Sequence, residues 1–130
     1  MIIECHHHFV THEIIDEIRG VVKPEPNQVD KHLEWMDAAG IDVAVLSSPL
    51  CNTLEECKIA DDAFGNMMEK HPNRFVGLAR CIPSIGDESL KELDRAINVL
   101  GLRGVCIDVR IQGHNLDSEV LWPFYEIVSD

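Results

Sequence analysis

Ile2-Ile3-Glu4-Cys5-His6-His7-His8-Phe9 is the stretch on which the fold turns. An apolar start runs into an acid and then into three consecutive histidines, after which Phe9-Val10 returns to apolar character. A purification tag is longer as a rule and sits outside the fold, whereas these flanks make the run part of a strand. Side chains alternate in direction along a strand, so His6 and His8 share one face, Glu4 falls in with them, and His7 takes the other face toward a helix layer. Two imidazoles on one face at a strand end are a donor pair for one divalent ion, and zinc accepts neutral imidazole nitrogen readily.

Outward from this strand the pattern alternates. Residues 9–19 suit a short helix with Thr11 as its N-cap, and 21–27, with Pro24 and Pro26, read as a loop. Residues 30–39 carry Leu33, Met36 and Ala39 on one stripe and stop at Gly40. The apolar run 42–47 is a buried strand. Residues 53–70 form a long helix opened by a Thr53/Glu56 capping box. The cycle repeats with a strand at 75–81, a helix at 87–100, a strand at 104–109, a loop at 112–115, and a helix over 116–129 capped by Asp117 or Ser118 with Pro123 in its first turns. Trp35 and Trp122 fall in helical patterns and are expected in the core.

Four β-then-α units with buried strands imply an α/β fold with a parallel sheet. Two architectures satisfy this: a four-stranded doubly wound sheet, or the N-terminal half of a (β/α)₈ barrel. No glycine-rich phosphate loop follows the first strand; His-x-His stands in its place, which disfavours the nucleotide-binding version. In a barrel the chemistry sits at the carboxyl ends of the strands, where His6 and His8 lie.

The chain has 130 residues, one domain's worth, without a linker or low-complexity tract. Its formal net charge of −12 argues against a nucleic-acid partner and against anionic membranes. No segment approaches the ~20 apolar residues of a membrane span. The five cysteines, Cys5, Cys51, Cys57, Cys81 and Cys106, are odd in number and form no C-x-x-C pair, and no signal peptide is visible. A reduced, cytoplasmic protein is expected.

At this level of detail the sequence resembles the amidohydrolase superfamily, in its amidohydrolase-related, aminocarboxymuconate-semialdehyde decarboxylase-like branch. The resemblance rests on Ile3-Glu4-Cys5-His6-His7-His8-Phe9, on Leu33 through Leu46 with its Asp37-Ala38-Ala39-Gly40-Ile41-Asp42 centre, on His71-Pro72-Asn73-Arg74-Phe75, on Leu100-Gly101-Leu102-Arg103-Gly104-Val105, and on Leu121-Trp122-Pro123-Phe124-Tyr125. Where such enzymes usually carry Asp before the histidine pair, this chain has Glu4. The resemblance implies a metal-dependent hydrolase or non-oxidative decarboxylase of small carboxylated or carbonyl compounds, with one divalent metal, most simply zinc. It also implies that a histidine ligand on a fifth strand, a later histidine base and an aspartate on the eighth strand complete the site. Strands five to eight are absent from these 130 residues, so the chain reads as a single partial barrel domain.

The candidate ligands are therefore His6 and His8, with Glu4 as a further ligand or as support for them. Asp108, near the end of the fourth strand, is a candidate to contact metal or a catalytic water. Arg80, ending the third, is a candidate for a substrate carboxylate, with a surface ion pair as the alternative. His114 in the following loop reads as solvated, and Cys51 and Cys81 as small buried residues. Two functions remain open: the N-terminal half of such an enzyme, paired with a missing half-barrel or a second copy, or a non-catalytic half-barrel that binds metal or serves assembly.

Overall fold

A computed structural model describes residues 1–10, 28–49 and 51–129. The helix expected over 9–19, its Thr11 cap and the proline loop that follows lie outside the described residues beyond Val10. Strand β1 (Ile3–His8) pairs in parallel with β2 (Val43–Ser47), and β2 pairs in parallel with β3 (Phe75–Gly77). The expected third strand is interrupted at Leu78. Its second part, β4 (Ala79–Arg80), leaves β2 and pairs in parallel with β5 (Val105–Cys106). Backbone bonds carry the ladder across the break, Leu78 N–H to Leu46 C=O at 3.0 Å and Ala79 N–H to Gly104 C=O at 2.8 Å. The strands thus lie side by side in chain order. A doubly wound sheet would reverse its order at a switch point, so this topology is that of a barrel wall.

Helices α1 (Gln28–Ala39), α2 (Leu54–Lys70) and α3 (Asp87–Asn98) follow the strands, and α4 (Trp122–Ser129) closes the described chain. The buried faces of α1 to α3 meet the sheet in one cluster that includes Met36, Ala44, Leu46, Phe64, Phe75 and Leu93. On β2, Ala44 and Leu46 are fully buried under the helices, while Val45 between them is only half-buried, as are Val76 and Leu78 on the strand beside it. One face of the sheet is sealed and the other is partly open, the asymmetry expected of a barrel wall seen without its opposite side.

Local sequence explains most boundaries. Thr53 Oγ1 accepts from Glu56 N–H at 3.2 Å and Glu56 Oε2 accepts from Thr53 N–H at 2.9 Å, the reciprocal box that fixes the start of α2. At the end of α1, Gly40 takes φ 69°, and the bonds from Ile41 N–H to Met36 C=O and from Gly40 N–H to Asp37 C=O form a Schellman close.

Three expectations are corrected. On α1 the buried residues are His32 and Met36, and Ala39 is exposed. Trp35 points off that stripe and is 69% exposed, and Trp122 is 56% exposed, so neither tryptophan is in the core. The last helix begins at Trp122 rather than at 116, because residues 110–115 form a tight hairpin, β6 (Arg110–Ile111) against β7 (His114–Asn115). Its Gln112-Gly113 turn takes positive φ at both positions, which matches the twist of a two-residue hairpin. A 3₁₀ turn over Glu119–Leu121 then leads into α4, leaving Pro123 in its first turn.

Candidate functional site

The carboxyl end of β1 brings His6 and His8 together. Their Nε2 atoms are 3.0 Å apart, and the rings meet edge to face with centroids 4.6 Å apart. That separation is less than twice a metal–imidazole bond of about 2.0–2.1 Å, so both nitrogens can bond one ion. His8 also has Ser47 Oγ 3.4 Å from its Nδ1. Both histidines are exposed at the sheet end. The donor set fits a divalent ion as a half-site: among the described residues no group of three or more His, Cys, Asp or Glu side chains converges to hold one.

Glu4 does not stand with His6. Its Oε1 lies 3.1 Å from Nδ1 of His7. A bulge causes this: Glu4 is opposite Ala44 and His7 opposite Leu46, so β1 spends three steps where β2 spends two. The extra residue reverses parity, and Glu4 and His7 share the helix-facing side. His7 reaches that side as expected and rests 4.2 Å from the ring of His32. His32 is 5% exposed, with no partner for Nε2 among the described residues, and its pKa is lowered by burial first and by the neighbouring His7 second.

The end of β4 is different. Arg80 is 3% exposed, so the alternative of a surface ion pair does not describe it. Its Nη2 lies 2.5 Å from Oδ2 of Asp108, and its Nη1 lies 3.6 Å from Cys106 Sγ. Asp108, 55% exposed, is thereby committed to Arg80. Behind them Asp61 on α2 accepts the backbone N–H of Arg80 at 2.8 Å. Asp61 is fully buried, and burial pushes its carboxyl up to about 8. Sequence reading passed over Asp61. An acid on the buried stripe of a helix, between Cys57 and Phe64, was the available signal.

The remaining candidates are elsewhere. His114 is exposed in the hairpin, with Nδ1 3.3 Å from Ser118 Oγ. Cys81 is buried against Ser89, and burial raises its thiol to about 11. Cys51 is buried beside Ser48, its Sγ 3.4 Å from the hydroxyl.

A parallel barrel wall with an imidazole pair at the carboxyl end of its first strand defines the class, and the chain belongs to the amidohydrolase family, whose model matches residues 3–130. It is 28% identical to the 2-amino-3-carboxymuconate-6-semialdehyde decarboxylase of Dictyostelium discoideum, over 75% of this chain and 30% of that protein. It is 26% identical to a gamma-resorcylate decarboxylase of a Polaromonas species, over 93% of this chain and 44% of that protein. The 5-carboxyvanillate decarboxylase of Novosphingobium aromaticivorans, solved with bound manganese, superposes with a TM-score of 0.79 at 25% identity, over 99% of this chain and 48% of that one. The fold is accordingly part of the barrel seen in amidohydrolase-type decarboxylases, and the chain spans less than half the length of these relatives. Among the described residues no helix is long and apolar enough to cross a membrane.

Proposed function

We propose that this chain supplies the metal-holding half of a metal-dependent, non-oxidative decarboxylase of a small, unsaturated carboxylated substrate. His6 and His8 are two of the ligands of its divalent ion, zinc or manganese. The observation that carries this reading is the 3.0 Å approach of the two Nε2 atoms at the carboxyl end of β1, in a chain of the amidohydrolase family. Decarboxylation is favoured over hydrolysis because the relatives above are named for it. When bound, the ion supplies Lewis-acid polarisation of a substrate oxygen or of a water. The chain's own residues hold and orient: His6 and His8 present nitrogen lone pairs, and Arg80 and Asp108 carry paired charge at the same end of the sheet. For Arg80 to take a substrate carboxylate, its pair with Asp108 has to open.

Catalytic sites of this kind use three protein ligands as a rule. The missing donors are proposed to come from a complementary half-barrel, in a longer chain, a separate chain or a second copy. The half-buried inner face of Val45, Val76 and Leu78 is the surface such a half covers. A cytoplasmic location is part of the same proposal, in keeping with five free cysteines. The second reading, a non-catalytic metal-binding or assembly module, is favoured by one observation: Glu4 and Asp108, the two candidate acids, are committed to His7 and Arg80.

The test is a release assay for carbon dioxide from gamma-resorcylate and 5-carboxyvanillate, using the metal-loaded 130-residue chain alone and then together with a separately expressed C-terminal half of a related enzyme. The expected result is negligible turnover alone and turnover on complementation, lost in His8→Ala. Turnover by the isolated chain contradicts the half-site account, and metal-loaded complexes that stay inactive favour the module. Light scattering of the same samples reports whether the open face drives self-association.

A further inference from the structure

We propose that Ser47 is a positioning residue for the imidazole pair, fixing the ring of His8 in the tautomer that leaves Nε2 free to bind. Any effect on metal rests on the reading of His6 and His8 as ligands; the effect on the ring does not. His8 stands directly opposite Ser47 in the β1–β2 register. The two strands are locked at that level by the bond from Phe9 N–H to Ser47 C=O at 3.0 Å. Among the described residues, each ring nitrogen of His8 has one polar neighbour: Nδ1 has the Ser47 hydroxyl at 3.4 Å, and Nε2 has His6 Nε2 at 3.0 Å.

A histidine ligand has its orientation and its proton set by the partner of its other nitrogen. Ser47 is 7% exposed, so water competes poorly for its hydroxyl. With the hydroxyl accepting from Nδ1–H, the proton is held on the inner nitrogen and the lone pair of Nε2 faces outward, toward His6. The adjacent hydroxyl does not share this task, because Ser48 Oγ lies against the thiol of Cys51 at 3.4 Å. The β1 bulge precedes His7, so the register that matches His8 to Ser47 is set after it. Ser47 is thus the β2 residue that the bulge delivers to the outer histidine.

The experiment is nitrogen-15 NMR of the histidine side chains in the metal-free wild type, Ser47→Ala and Ser47→Thr, followed by equilibrium dialysis of each against manganese(II) and zinc(II). In the wild type the expected tautomer of His8 carries its proton on Nδ1. Ser47→Ala is expected to shift the population toward the Nε2–H form and to weaken metal binding about 10- to 100-fold without changing stoichiometry. Ser47→Thr, which keeps the hydroxyl, is expected to restore both. A wild-type His8 protonated on Nε2, or a Ser47→Ala variant with wild-type tautomer and affinity, overturns the assignment. If the wild type binds no metal while its tautomer follows Ser47, the ligand reading fails and the positioning of the ring stands.

Discussion

The carboxyl ends of two strands in one barrel wall are built in opposite ways. At the end of β1, His6 and His8 are exposed, and among the described residues their outer nitrogens meet only each other, while Ser47 stands behind His8. At the end of β4, Arg80 is buried, its guanidinium is met by Asp108 and Cys106, and its backbone N–H is met by the buried carboxyl of Asp61. The first is a donor set still open to a ligand. The second is charge already neutralised inside the fold, the arrangement in which removing one partner is costly. Exposure and unmet donors therefore point to β1 as the binding end, and β4 holds the frame behind it.

The sharpest way to break this contrast is through Asp61. Its carboxyl is held up at about 8 in the folded protein, first by burial, against about 3.9 in an unfolded chain. The folded state then binds the proton more tightly. Its stabilising effect is complete below the unfolded value and is lost as pH rises through the folded one. Wild type is expected to weaken between about pH 4 and pH 8, and Asp61→Asn, which keeps an acceptor for Arg80 N–H, is expected to lack that slope. By pH 9 the variant should have gained on the order of a few kcal/mol relative to wild type in urea unfolding. Parallel pH profiles would mean that Asp61 is ionised in place.

Next in size is Asp108→Ala, which leaves the guanidinium of Arg80 unpaired. A loss of about 2 kcal/mol is expected, below the usual cost for a fully buried pair because Asp108 is 55% exposed and water can replace it. Removal of the α2 cap by Thr53→Ala should cost about 1 kcal/mol in the same unfolding assay. The smallest effect belongs to the site itself: His6→Ala should change stability by no more than about 0.5 kcal/mol, since the ring is exposed. A His6→Ala loss as large as that of Asp108→Ala would remove the distinction between the two ends.

How much of this was legible beforehand follows from which interactions are local. The β–α alternation, the Thr53/Glu56 box and the Gly40 stop depend on neighbours within a few residues, and all are present. The pairing of His6 with His8 follows from strand parity past the bulge. Glu4 lies before the bulge, and the sequence carries no mark of the extra residue that sends it to His7. The Arg80–Asp108–Asp61 group joins three elements far apart in the chain, so no spacing rule predicts it. Trp35 misled because a bulky apolar side chain was read as core when it sits one position off the buried stripe, beside Met36.

The central claim, that the end of β1 is a metal half-site, is tested most directly by equilibrium dialysis of the purified chain against zinc(II) and manganese(II), followed by elemental analysis, with the His6→Ala/His8→Ala double variant alongside. The account predicts one ion per chain in the wild type, held with modest affinity by two nitrogen donors, and none in the double variant. Wild-type chain that emerges without metal, or a double variant that retains it equally, would contradict the account.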